Sequence, residues 1–393
     1  MICTNSFINI YNRQPEMAFT PYRICPLGAH VDHQLGQITG FAIDKGIHIA
    51  YGPKENGVVE LSSMQFEGRA QWHVSSVPDK PMGDWADHLR GATRALGSRY
   101  PLRRGICAVI DGELPIGGLS SSAAVIITFL SALSKINGIT LTELEMIELA
   151  LEAENKYVGV SCGRLDQSCE VYCKKDKLLY MDLKTDTMET IAPGESMKPY
   201  KIAIFFSGVE RSLATSKYNA RVDEAKAAAY TLLAHAGMDY GKFADVRLCD
   251  VPREIFDKYS DRLPEPWYKR ALHYYTECER VERGVKAWQQ GDIEDFGRCI
   301  FESGYSSIYN WEAGSPELIA LYNIMRETEG IYGGRFSGAG FKGCCMAIID
   351  PDFEESIVEK VSFEYLKAFP ELADKFSVHI CSTADGVKLS EGV

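Results

Sequence analysis

The sequence predicts an α+β protein of two lobes with a cleft between them, and three observations predict it. Strand-like alternation and helix-like spacing occur side by side in each half of the chain. The texture changes near Lys198 to Lys201, where a strand–helix mixture gives way to a mainly helical stretch. The chain has 393 residues, too many for one ordinary core. We therefore expect one lobe over residues 1–200 and a second over 201–393.

In chain order, "FAIDKGIHIAYG", "GVVELSSMQ" and "AQWHVSSV" alternate as strands do. "DWADHLRGATRALGSRY" has helical spacing, and "GICAVIDGEL" is a strand again. A loop, "PIGGLSSS", then opens the apolar helix "AAVIITFLSALSKI", which Asn137-Gly138 closes. Thr142 and Glu145 form a capping-box pattern at the next helix, "ELEMIELALEAENKY". "YKIAIFF" reads as a buried strand. Four helical stretches follow, beginning at Arg211, Trp267, Ile293 and Ser315. Strand-like "CCMAIID", a helix and "FSVHICSTADG" complete the pattern.

Composition bounds the function. An apolar share of 46% and a charged share of 24% suit a globular protein. A net charge of −12 argues against a nucleic-acid partner, which wants a basic surface. It leaves room for an anionic small substrate, since one site can be positive on an acidic chain. No apolar run is long enough to span a membrane. The opening "MICTNSFINIYNRQPEM" lacks the basic and apolar regions of a secretory leader. The twelve cysteines are scattered with no C-x-x-C pair, so reduced thiols in a cytoplasmic protein are expected, not a zinc ribbon.

Three loops have the residue types of a chemical site. In "LPIGGLSSSAAV", Gly117 and Gly118 allow backbone close to a ligand. Ser120, Ser121 and Ser122 place hydroxyls and unpaired N–H groups at a helix start, which suits phosphate. The plainer reading is a capped helix after a glycine turn. No Gly-Lys-Ser/Thr follows, so it is not a Walker A loop. "GGRFSGAGFKGCC" is a second glycine-rich loop, Gly333 to Gly343, with Lys342 as a cation inside it. "AENKYVGVSCGRLDQ" offers Glu154 near a helix end and Asp166 after a turn. One carboxylate could hold Mg²⁺, which prefers oxygen ligands, and the other could face a substrate hydroxyl. The plainer reading of either acid, taken alone, is a solvated helix-end or loop charge.

These pieces, in this order, resemble the GHMP small-molecule kinases, and within them the galactokinase branch. "YRICPLGAHVDHQLG" looks like that branch's opening signature, "GLSSSA" like its phosphate loop, and "AENKYVGVSCGRLDQ" like its A-E-H-x-x-x-G-x-x-C-G-x-x-D-Q. "RSLATSKYNAR", "RFSGAGFKGC" and "ADGVK" are similar to its later motifs. The resemblance implies the two-lobed GHMP kinase fold and an ATP- and Mg²⁺-dependent sugar 1-kinase. It implies that Asp166 faces the anomeric hydroxyl and that Arg23 lies beside it. It gives Ser121 and Glu154 to Mg²⁺. Gly117, Gly118, Leu119, Ser120, Ser121, Ser122 and Ala123 wrap the ATP phosphates, and Trp85 lies near the nucleotide. His30, Asp32, Gly163 and Tyr218 line the sugar site. The phosphate loop is one residue shorter than usual, and Ala339 and Lys342 replace glycines in the last loop.

Ala29 stands where the branch has a glutamate that accepts a hydrogen bond from the sugar's 6-hydroxyl. If C6 is a carboxylate, a glutamate there would set two anions together. At about 4 Å and an effective dielectric near 20 they repel by about 4 kcal/mol. His30 and His33 lie in the same loop, Arg164 lies two residues before Asp166, and Lys217 precedes Tyr218, so a carboxylate could find donors. "PYRICPLGAHVDHQ" also resembles the plant-type galacturonokinases. The expected substrate is therefore D-galacturonate, a small-molecule sugar acid. Neutral galactose, another uronate, and a kinase-like sugar sensor without turnover are the alternatives.

Overall fold

The computed structural model describes residues 2–160, 162–209 and 214–388, with the backbone alone for 214–217. A first sheet takes β1 (Glu16–Ile24), β2 (Gln37–Lys54), β3 (Val58–Ser63), β4 (Arg69–His73), β5 (Gly105–Gly112), β6 (Leu178–Asp182) and β7 (Thr187–Ile191). A second takes β8 (Lys201–Phe206), β9 (Ile331–Phe336), β10 (Cys344–Ile349) and β11 (Ser377–Cys381), and β12 (Thr383–Ala384) crosses back to pair with β2. The helices are α1 (Ile2–Tyr11), α2 (Asp87–Arg99), α3 (Ser121–Ile136), α4 (Glu143–Glu152), α5 (Leu165–Tyr172), α6 (Ala214–His235), α7 (Arg253–Tyr259), α8 (Glu265–Gln290), α9 (Ile293–Tyr309), α10 (Pro316–Arg326) and α11 (Glu354–Ala368).

The spine of the first sheet is β2, long enough to pair with β1, β5, β6 and β12. The apolar helix α3 packs on β1 and β2 and against α2 and α4, which explains why it is apolar nearly all round. The second sheet runs β11-β8-β10-β9, all antiparallel. It is a wall between two cores. Ile202, Ile204, Phe206, Cys344, Met346 and Ile348 face one apolar cluster, while Ala203, Phe205, Cys345, Ala347 and Ile349 face the other. Strand side chains alternate between faces, so a strand buried on both sides must be apolar throughout. That is why "KIAIFF" and "CCMAII" contain almost no polar residue.

The structure corrects several expectations. Gly333 and Gly334 belong to β9, not to a ligand loop. A Cβ on Gly333 would meet the Gly297 carbonyl oxygen at 2.3 Å, so glycine is there to let α9 lie on β9. The loop proper is 337–343. Arg23 lies on a strand, β1, despite the prolines and glycines around it. Pro21 is accommodated because the β1–β2 register shifts between Pro21 and Arg23. Helix α1 and the β6–β7 hairpin were not expected. All twelve cysteines are free thiols. Among the described residues no helix is long and apolar enough to cross a membrane.

Candidate active site

Arg23 enters from β1 and meets Asp166 on the first turn of α5, with Nε and Oδ1 2.8 Å apart. The same guanidinium donates through Nη1 to the Gly118 carbonyl oxygen at 2.9 Å. Ser337, from the last glycine loop, donates to that carbonyl as well, at 2.7 Å. One buried cation thus ties the carboxylate, the serine loop and the second lobe together. Burial pulls the Arg23 pKa down, but the attraction of Asp166 outweighs it and the net shift is upward.

Gly117, Gly118 and Ser120 all have positive φ, 135°, 87° and 63°. Such a run turns successive N–H groups toward one side and makes an anion nest at the start of α3. The Ser120 hydroxyl is buried with no partner among the described residues, as expected of a group that awaits a ligand. Gly117 and Gly343 touch: a Cβ on Gly117 would lie 3.0 Å from the Gly343 Cα. The two glycine loops are therefore one cradle. Gly338 and Gly340 take the positive φ values of the last loop and Ala339 does not, which removes the strain an alanine would bring.

Glu154 sits in a π-helical turn, Ala153–Val158, and is buried. Burial, with the nearby Asp166 charge, pushes its pKa up to about 7 against hydrogen bonds from Ser122, Cys162 and Gln167. Of the loop hydroxyls, that of Ser122 acts on the Glu154 carboxylate. Ser121 and Ser122 both line the cleft. A buried carboxylate beside a hydroxyl is a hard-oxygen donor set, which fits Mg²⁺. Among the described residues no cluster of three or more His, Cys, Asp or Glu could hold a metal alone, so phosphate oxygens would have to complete the shell.

Ala29, His30, Asp32, Gly163 and Tyr218, the residues expected at the sugar, all line this cleft. His30 has φ of 63°, unusual for a non-glycine residue, and stacks on Trp311 with ring centroids 5.2 Å apart. Gly163 must be glycine, since a Cβ there would meet Asp32 Oδ2 at 2.4 Å. Burial, helped by Asp166, raises Asp32 to about 6, while backbone N–H groups of His33 and Leu165 oppose it. Burial also keeps His30 and His33 neutral, His33 down to about 3. Gln34 Oε1 accepts the Leu248 N–H, so its amide donates to His33 Nδ1. The His33 proton therefore resides on Nε2, a buried donor with no partner among the described residues.

The other expected residues are placed as follows. Leu119 and Ala123 are core side chains, and Leu119 contributes through its carbonyl, which accepts the Arg23 N–H at 3.4 Å. His33 lies on a second cavity behind the sugar wall. Arg164 also faces that cavity and pairs with Asp186 at 2.9 Å, so it does not reach the main cleft. It is the N-cap residue of α5, two positions before Asp166. The Lys217 side chain lies outside the described residues. Trp85 stacks on Phe66, with centroids 6.2 Å apart. Phe66 in turn lines a cavity that runs to Pro115, Ile116 and Gly343 of the phosphate cradle.

Sequence reading missed the support behind Ala29. His273 donates from Nε2 to the Ala29 carbonyl oxygen at 3.0 Å, and Glu277 accepts the Gly28 N–H at 2.8 Å. Both lie on α8 four residues apart, on one face, which was a readable signal. Glu277 is held down to about 2: burial opposes, and Arg280, His273 and Arg335 prevail. Trp311, packed on His30 and His33, was also missed.

The model of the GHMP kinases N terminal domain matches residues 87–174, and that of the GHMP kinases C terminal matches 285–367. A galacturonokinase of Arabidopsis thaliana is 39% identical over 94% of this chain and 92% of its own. The chain belongs to the GHMP kinases. This GHMP kinase is also 28% identical to a Clostridium beijerinckii galactokinase over 98% of each chain. The structure of Lactococcus lactis galactokinase complexed with galactose superposes with a TM-score of 0.89, at 27% identity and 98% coverage of both. Methanococcus jannaschii mevalonate kinase, 15% identical with a TM-score of 0.67, shares the fold. The protein is an ATP-dependent phosphotransferase, a sugar kinase of the galactokinase and galacturonokinase type.

Proposed function

We propose that the enzyme transfers the γ-phosphoryl group of ATP to the anomeric oxygen of D-galacturonate, giving galacturonate 1-phosphate and ADP. The observation that supports this substrate is Ala29. It is 6% exposed and lines the sugar side of the cleft, so no carboxylate stands there to repel an acid at C6. The 39% identity to a galacturonokinase points the same way. Neutral galactose is the second reading, favoured by the 0.89 superposition on a galactokinase.

Asp166 accepts a hydrogen bond from the anomeric hydroxyl and aims its oxygen at the γ-phosphorus. The new O–P bond forms as the bond to the ADP oxygen breaks, and the hydroxyl proton passes to Asp166. Little proton transfer is needed early in a loose transition state, so a carboxylate kept ionised by Arg23 suffices. Arg23 faces the transferring group and holds Asp166 in line. Ser120 and the 117–122 backbone grip the phosphates, and the base lies over Phe66, backed by Trp85. Mg²⁺ held by Ser122 and Glu154 would supply charge neutralisation at the phosphate oxygens. Asp32 reads the C3 and C4 hydroxyls. ATP turnover on D-galacturonate, D-galactose and D-glucuronate tests the reading. It predicts a clear preference for galacturonate, and equal or better use of galactose would contradict it.

A further inference from the structure

Behind the sugar wall lies the second cavity, about 340 Å³, enough for one monosaccharide. It shares Asp32, Val160, Cys162 and Gly163 with the reaction cleft. Three cations line it: Arg164, Lys226 and Arg247. Arg164 pairs with Asp186, whose side chain is 73% exposed. Lys226 and Arg247 make no ion pair within 4 Å among the described residues, and their hydrogen bonds run to the carbonyls of Ala244 and Val246. His33 lines the same cavity, and its Nε2 has no partner among the described residues. Asp223 and Asp245 act on Lys226 from nearby, yet its pKa is lowered, by burial and then by Arg247. Asp32 is also on the lining, and the Asp250 carboxylate accepts the Arg247 backbone N–H at 3.1 Å, so the positive charge is local to the Lys226 and Arg247 side chains.

We propose that this cavity is a capture site for the carboxylate of an incoming sugar acid, which it holds by Lys226, Arg247 and His33 across the wall it shares with the sugar site. The inference rests on the galacturonate reading above. A neutral sugar gains nothing there. Like charges gathered in a concave, partly dry pocket focus the field, so association of an anion quickens and becomes sensitive to salt. Lys226 and Arg247 are then specificity residues that act on capture and not on transfer.

The test is steady-state kinetics of wild type, Lys226→Glu and Arg247→Ala on galacturonate and galactose at low and high salt. Arg247 also caps a turn through two carbonyls, so its variant can lose stability. Lys226 makes one long hydrogen bond, 3.3 Å, and its variant keeps the test valid. Expected is a rise of about tenfold in the galacturonate KM, within the range that steering supplies. The kcat on galacturonate and the KM for galactose should hold, and the salt dependence of galacturonate kcat/KM should flatten. A wild type that prefers galacturonate, with variants that leave its KM unchanged or shift both sugars equally, would overturn this inference alone. A wild type that turns over galactose and not galacturonate would overturn the function reading, and this inference with it.

Discussion

Arg23 and Asp166 come from positions 143 apart in sequence, and their ion pair is the point on which the site is built. Asp166→Asn keeps the shape and removes the proton acceptor. It should lower kcat by about 10²- to 10⁴-fold with ATP affinity unchanged in a direct binding assay. Glu154 gives a pH signature. Its pKa is raised to about 7, so below that it is protonated and above it a carboxylate. The Mg²⁺ concentration for half-maximal activity should therefore fall as pH rises from 6 to 8. Glu154→Gln should abolish that slope, and an unchanged slope would take the metal role from Glu154. Ala29 was legible in sequence because it breaks a motif in a way that charge explains. His273 and Glu277 could be read only as a pair on one face of α8, and Trp311 not at all, since their targets in the 28–30 loop appear only once the helices pack against it. Which of Ser121 and Ser122 stands toward Glu154 depends on helix phase at the first turn of α3, which the sequence does not fix.

Among elements, those with local causes were legible. The capping box of Thr142 and Glu145 forms at the start of α4 with both reciprocal hydrogen bonds. Thr142→Ala should cost about 1 kcal/mol in denaturant unfolding and leave kcat alone. The α3 helix and the buried β8 and β10 were legible from their apolar runs. Elements fixed by tertiary contact were not. The glycines of β9 read as a loop until α9 is seen lying on them, with Gly297 against Gly333. Gly333→Ala should destabilise by about 1–3 kcal/mol, as overpacking does, although the residue touches no ligand. A stability equal to wild type would show that α9 can shift away freely. Strand β1 was hidden by its prolines and glycines, whose bulge carries Arg23 into the cleft.

At the scale of the whole molecule, the second sheet divides two cores and its alternate side chains bind both, so the halves cannot slide without breaking apolar packing on either face. The proposed division into 1–200 and 201–393 begins the second sheet at Lys201, and β12 then ties the end of the chain back to β2. The cleft at that junction takes Tyr218, Phe336 and Ala339 from one half and Arg23, Asp166 and the serine loop from the other. The central claim is that a missing negative charge at position 29 sets the substrate. The most direct measurement is the ratio of kcat/KM for D-galacturonate to that for D-galactose, in wild type and in Ala29→Glu. The account predicts a ratio well above one in wild type that falls by at least about tenfold in the variant, given a repulsion of several kcal/mol. A wild-type ratio below one, or a ratio that the glutamate leaves unchanged, would contradict it.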